Sequence, residues 1–73
     1  MKMTVTPELC RAIRAYFDWT QDMLAQKAGV GTSTVRDFER GARTPIRQNL
    51  LALERVFNDS GIDLELLKKA FPH

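Results

Sequence analysis

The chain has 73 residues and a formal net charge of +2, with 11 lysines and arginines against 9 aspartates and glutamates. One cysteine and one histidine exclude an internal disulfide, a zinc site and a paired catalytic nucleophile, so we expect a single domain over residues 1–73 with no enzyme activity, metal or cofactor. No apolar run approaches the roughly 18 residues of a membrane span and the first residues lack a signal-peptide core, which predicts a soluble, cytoplasmic protein.

The positive charge is concentrated in one segment. Residues 31–47 contain four arginines against Asp37 and Glu39, whereas residues 1–30 carry four basic and three acidic side chains and residues 48–73 carry three and four. This concentration fits a polyanionic partner such as nucleic acid, and it fits an ordinary solvated face equally well. Charge alone therefore does not decide between the two.

Two short helices are predicted before residue 30. Thr6-Pro7 is a helix start, a hydroxyl cap followed by proline at the first helical position, and Asp18-Trp19 closes this helix. Its apolar stripe consists of Leu9, Ile13, Tyr16 and Phe17. Thr20 caps a second helix that runs to about residue 28, and Gly29 suits the left-handed position at its end. The inward residues of this helix are Leu24, Ala25 and Ala28.

A third and a fourth helix follow. The third covers about residues 32–40, presents Val35 and Phe38 inward, and stops at Gly41. The fourth covers about residues 47–58 and ends at Gly61. Its apolar side consists of Leu50, Leu53, Val56 and Phe57.

The tail, residues 62–73, fits two patterns. As a helix it would be capped by Asp63; as a strand it would alternate apolar and acidic residues and could form a small ribbon with Met3 and Val5. We favour the helix. The predicted fold class is therefore all-α, a compact domain of four to five helices.

The second and third helices have helix-turn-helix spacing over about residues 21–40, with the turn Gly29-Val30-Gly31 between them. Ala25 lies where the two helices would cross, and its methyl group permits a close approach. Because Val35 and Phe38 fix the buried side of the third helix, the other side points outward. The outward residues are Thr32, Ser33, Arg36, Asp37 and Arg40.

This outward side suits the major groove of DNA. Small hydroxyl side chains at the start of the helix let its backbone approach base edges, where a hydroxyl can donate or accept a hydrogen bond. Arg36 is long enough to reach a guanine or a phosphate, and Arg40, Arg43 and Arg47 stand where contacts to the DNA backbone are expected.

The same residues also fit an ordinary solvent-exposed helix with no role in DNA binding. Threonine and serine are common in the first turn of a helix, and arginine on a helix is usually only solvated. Asp37 argues against DNA because phosphates repel a carboxylate, although it could accept from a cytosine amine or pair with Arg36 or Arg40.

The run TQDMLAQKAGVGTSTVRDFERGARTP, residues 20–45, resembles the helix-turn-helix of the phage-repressor or Cro type, the XRE-like family. The matching residues are Gln21, Leu24-Ala25, Ala28-Gly29-Val30 and Glu39-Arg40-Gly41. The resemblance covers about residues 8–60 and implies a phage-repressor-like DNA-binding domain. Two positions depart from the family: Gly31 replaces the usual serine or threonine cap, and Met23 replaces an acidic or polar residue.

The resemblance also implies roles for individual residues. The third helix would be the recognition helix, and its base-reading positions would be Thr32, Ser33 and Asp37, with Arg36 as an addition. Phosphate contacts would come from Gln21, Arg40, Arg43 and Arg47. Arg14 and Glu39 would form a structural ion pair that holds the recognition helix to the first helix.

The expected partner is an operator in double-stranded DNA, (pseudo)palindromic because two copies of such a small domain discriminate a site better than one. We therefore expect a homodimer. We expect a repressor rather than an activator, because 73 residues leave no room for a separate activating or ligand-sensing domain. The apolar residues that would form its contact lie in the tail: Leu64, Leu66, Leu67 and Phe71. The alternative is a protein-interaction module, or an antitoxin-type binder of a partner protein, on the same scaffold, which would use Trp19, Met23 and the tail.

Overall fold

A computed structural model describes residues 5–61, which form four α-helices and, over that range, no strand. The helices are α1 (Pro7–Phe17), α2 (Gln21–Ala28), α3 (Thr32–Glu39) and α4 (Arg47–Asp59). The predicted all-α fold is confirmed, and α3 and α4 end within one residue of the predicted positions. The tail 62–73, Met3 and the conceivable ribbon lie outside the described residues.

The helix ends follow from the local sequence. The side chain of Thr6 accepts the backbone N–H of Leu9 at 3.0 Å, and the side chain of Thr20 accepts that of Met23 at 3.0 Å. Gly29 ends α2 with a φ of +73°, a conformation that costs glycine little because it has no Cβ. Gly31 precedes α3 and, having no side chain, supplies no capping hydrogen bond.

The helices enclose one apolar core. α2 packs on both α3 and α4, and α1 packs on α3. Ala25 is almost completely buried on α2, as expected for a small residue where two helices approach closely, and Val35 and Phe38 are the buried residues that anchor α3. The remaining buried apolar residues are Val5, Leu9, Cys10, Ala12, Ile13, Leu24, Pro45, Leu53 and Phe57. This packing fixes which side of α3 faces outward.

Tyr16 corrects one expectation. Its position in the apolar stripe of α1 predicted burial, but its side chain is 68% exposed. It lies in the last turn of α1, where the edge of its ring meets Phe17, with centroids 5.0 Å apart. Helical periodicity fixes the angle of a residue around the axis but not whether another element covers it. Across residues 5–61, no helix has the length and apolarity that a membrane crossing requires.

Candidate nucleic-acid interface

The outward side of α3 carries short polar side chains at its start and arginines farther along. Thr32, Ser33, Arg36 and Arg40 are exposed, while Asp37 is half-buried. Beyond the helix, Arg43 in the following loop and Arg47 at the start of α4 are exposed as well. The buried Val35 and Phe38 hold the opposite side of α3 against the protein. The exposed surface is thus polar and mostly cationic.

A groove of about 200 Å³ lies between α3 and the loop that leads to α4. Its lining residues are Ser33, Thr34, Asp37, Arg43, Thr44, Pro45, Ile46 and Asn49. The groove therefore brings together Ser33, Asp37 and Arg43 of the residues expected to contact DNA. Arg47 is not among the lining residues.

Asp37 lies between two arginines. Its Oδ1 is 3.4 Å from Arg36 Nε and 3.8 Å from Arg40 Nη1. Both arginine side chains are more than half exposed, so water and salt screen these pairs and each contributes little to stability. The arginines thus remain free to exchange Asp37 for a polyanion.

Arg14 and Glu39 form an ion pair at the end of α3. Arg14 Nε lies 2.6 Å from Glu39 Oε2, and Arg14 Nη2 lies 2.8 Å from Oε1, so the guanidinium is bound through two nitrogens. Arg14 also donates to the carbonyl of Trp19 at 2.8 Å. Because Glu39 is only 4% exposed, this ion pair is a largely buried connection between the end of α3 and α1.

Residues 11–69 match a family model described as Helix-turn-helix. The chain belongs to this family, of the phage-repressor and Cro type. The family consists of DNA-binding regulators and not of enzymes, and the helix-turn-helix unit of this chain is α2, the turn at Gly29 and α3. No curated protein matches the chain.

In this helix-turn-helix domain, Glu39 has more partners than the single expected arginine. Gln21 Nε2 donates to Glu39 Oε1 at 3.1 Å, and the thiol of Cys10 donates to Oε2 at 3.2 Å. Arg11 Nη1 donates to the backbone carbonyl of Glu39. Gln21 was expected to contact a DNA phosphate, and its side chain already donates a hydrogen bond to Glu39.

The surroundings of the ion pair shift the pKa values of Glu39, Arg14 and Cys10. Burial favours the neutral form of Glu39, but hydrogen bonds from Arg14, Gln21 and Cys10 and the charge of Arg14 outweigh it and lower the pKa of the carboxyl. The hydrogen bond to Glu39 raises the pKa of Arg14 despite partial burial. Burial, followed by the hydrogen bond to Glu39 and its negative charge, raises the pKa of the Cys10 thiol far above its usual range. Cys10 is therefore a protonated, unreactive donor.

Three residues of the site were missed by sequence reasoning. Cys10 and Arg11 gave no signal, because their partner lies 28 or 29 residues away and a cysteine on an apolar face is usually packing alone. Asp22 accepts a hydrogen bond from the Thr32 hydroxyl across the turn. The two residues are separated by 10 positions, and no local pattern in the sequence marks this pair.

Proposed function

We propose that this protein is a sequence-specific regulator of transcription that inserts α3 into the major groove of double-stranded DNA and acts as a repressor. The observation that carries the proposal is the outward side of α3, where hydroxyl side chains occupy the first turn and arginines follow. Short side chains at the tip permit close approach to base edges, and the arginines supply the charge that phosphates require.

The proposed roles follow the position of each side chain. Thr32, Ser33, Arg36 and Asp37 read bases, because they lie on the outward side of α3 ahead of its end. The proposed phosphate contacts are Arg40 at the end of that side, Arg43 and Arg47 beyond α3, and Gln21, whose amide has a second N–H besides the one that binds Glu39. Arg14 and Glu39 do not touch DNA in this proposal; they hold α3 at the angle that the groove requires.

The proposed active form is a homodimer. The described residues measure 28 × 25 × 22 Å, so one copy covers one half-site, whereas half-sites of a palindromic operator are centred about 34 Å apart. The proposed contact uses Leu64, Leu66, Leu67 and Phe71, which lie outside the described residues. Replacing these four residues with serine in the full chain is expected to convert dimer to monomer in analytical ultracentrifugation; an unchanged dimer would remove the tail from the interface.

Repression would follow from occupancy. A dimer bound across an operator excludes RNA polymerase or a competing regulator, and this mechanism needs no separate activating domain. The proposed location is the cytoplasm, in a prokaryotic or phage context, in association with the nucleoid.

The rival hypothesis is a protein-interaction module on the same scaffold. It predicts apolar anchors on the exposed side of α3, yet the side chains there are hydroxyls, arginines and one carboxylate. The exposed large apolar residues lie outside α3: Tyr16 on α1, Met23 on α2, Ile46 just before α4 and Leu51 on α4. The polar character of the α3 surface favours DNA.

The test is in-vitro selection from randomised duplex DNA, followed by titration of the selected duplex at low and moderate salt. We expect an enriched, (pseudo)palindromic motif and an affinity that falls steeply with salt. The variant with Thr32, Ser33 and Arg36 all replaced by alanine is the matched control, because it keeps Arg40, Arg43 and Arg47 and should bind DNA without enriching the motif. Absence of affinity for any duplex at low salt would end the proposal.

A further inference from the structure

One hydrogen bond crosses the turn of the helix-turn-helix at its exposed edge. The hydroxyl of Thr32, the first residue of α3, donates to Oδ1 of Asp22 in the first turn of α2. Both residues are exposed, so the contact contributes little to the core. It lies instead at the end of α3 that is proposed to enter the major groove.

The chemistry of this bond fixes the direction of the Thr32 hydroxyl. A threonine hydroxyl has one proton to donate and two lone pairs that accept, whereas an ionised carboxylate only accepts. The proton of Thr32 is therefore committed to Asp22, and its oxygen is left as an acceptor. The neighbouring Ser33 has no hydrogen-bond partner among residues 5–61, so its hydroxyl can still donate or accept.

We propose that Asp22 is a specificity-determining residue that restricts Thr32 to reading a base that presents a donor. In the major groove the donors are the N6 amino group of adenine and the N4 amino group of cytosine; guanine and thymine offer acceptors to a side chain. The negative charge of Asp22 acts in the same direction, because it repels the acceptor edges of guanine and thymine. This inference rests on the proposed function, since it requires α3 in the major groove.

A second consequence concerns overall affinity. Through its bond to Thr32, Asp22 brings a carboxylate to the end of α3 that is proposed to enter the groove, so it opposes binding to every duplex alike. Base selectivity and total affinity are therefore expected to change in opposite directions when Asp22 is replaced, and a loss of fold cannot produce that combination.

The experiment compares base preferences from in-vitro selection for the full-length wild type and three variants. Thr32→Val keeps the shape of the side chain and removes the hydroxyl. The position of the DNA motif at which the base preference of this variant differs from that of the wild type is therefore the position that Thr32 reads. Asp22→Ala removes the acceptor. Asp22→Asn keeps the size of the side chain and offers both an acceptor and a donor, so the Thr32 hydroxyl is no longer obliged to donate to residue 22. This variant covers the case in which alanine disturbs α2.

At the position defined by Thr32→Val, we expect the wild type to prefer adenine or cytosine over guanine or thymine by about fivefold, the value of one ordinary hydrogen bond. Both Asp22 variants are expected to reduce this ratio below about twofold while binding every duplex more tightly. Ser33→Ala defines a second position of the motif in the same way. The base preference at that position is the internal control, and the two Asp22 variants should leave it unchanged.

Three results would overturn the inference: a wild-type preference for guanine or thymine at that position, an unchanged ratio in both Asp22 variants, or no position that responds to Thr32→Val. In each of these cases the wild type still selects a DNA motif. Failure of the proposed function is a different result, because then the wild type itself enriches no sequence and binds no duplex.

Discussion

The Arg14 guanidinium binds the Glu39 carboxylate through two nitrogens, at 2.6 and 2.8 Å, across 25 residues of sequence. Arg14 belongs to α1 and Glu39 is the last residue of α3, so this pair joins the end of α3 to α1. Cys10 and Gln21 donate to the same carboxylate from α1 and α2. One buried acidic side chain thus links the end of α3 to both α1 and α2.

Removing one partner from this pair is expected to be costly. Arg14→Ala leaves Glu39 buried without its counter-charge, and we expect a loss of about 3–5 kcal/mol in the free energy of unfolding, measured by urea denaturation. A chain of this size has a total stability on the order of 5–10 kcal/mol, so the variant should be only marginally folded. Arg36→Ala is the matched control: it removes an exposed arginine 3.4 Å from Asp37 and should cost less than about 1 kcal/mol. Equal losses in the two variants would contradict the assignment.

The lowered pKa of Glu39 predicts acid sensitivity. Folding lowers this pKa below the unfolded value of about 4.3, so the unfolded state binds the proton more readily. The stabilisation is fully present above about pH 4.3 and is lost as the pH falls through the folded-state pKa. We expect urea midpoints to fall steeply below about pH 4.5 in the wild type. Glu39→Gln should be less stable at pH 7 and should lose part of this slope; an identical slope in both proteins would show that other carboxyls cause it.

Most of the backbone was predictable because its signals are local. The capping threonines, the proline after Thr6 and the left-handed Gly29 each act on their own turn, and all were readable in the sequence. Tyr16 shows the limit. Its angle around α1 matched the apolar stripe, but exposure depends on what lies opposite the last turn, and no local signal carries that information.

The candidate site was predictable only in part, for the same reason. The outward side of α3 follows from the periodicity around Val35 and Phe38, and the contact between Arg14 and Glu39 was implied by the family resemblance. The donation from Cys10 to Glu39 and from Thr32 to Asp22 depends on how three helices meet. Tertiary geometry of that kind has no fixed spacing in a single sequence.

Gly31 offers a test of the missing helix cap. It has a φ of −74° and a ψ of 148°, the extended conformation of a capping residue, and an added Cβ would meet only the Ser33 and Thr34 hydroxyl oxygens, each at 3.8 Å. Gly31→Ser should therefore raise the free energy of unfolding by about 0.5–1 kcal/mol, through a capping bond and a less flexible unfolded chain. Gly29→Ser is the control, because its φ of +73° strains any side chain and should cost about 1 kcal/mol. A loss of stability in Gly31→Ser would show that the cap position tolerates only glycine.

Arg36 and Arg40 allow base reading and phosphate binding to be separated on one helix. Each lies within 4 Å of Asp37, at 3.4 and 3.8 Å, so replacing either with alanine removes a comparable contact within the protein. In the proposed complex Arg40 meets phosphate, and Arg40→Ala should weaken binding to all sequences and reduce the salt slope by about 0.9, the value for one phosphate contact. Arg36→Ala should instead change which base is preferred at one position.

The two variants therefore serve as controls for each other. Salt titrations of the selected duplex and of an unrelated duplex of equal length measure the first effect, and repeated selection measures the second. If Arg36→Ala left both the affinity and the preferred sequence unchanged, Arg36 would not read a base. If Arg40→Ala weakened the selected duplex but not the unrelated one, Arg40 would be a base-reading residue, because a phosphate contact is present in every sequence.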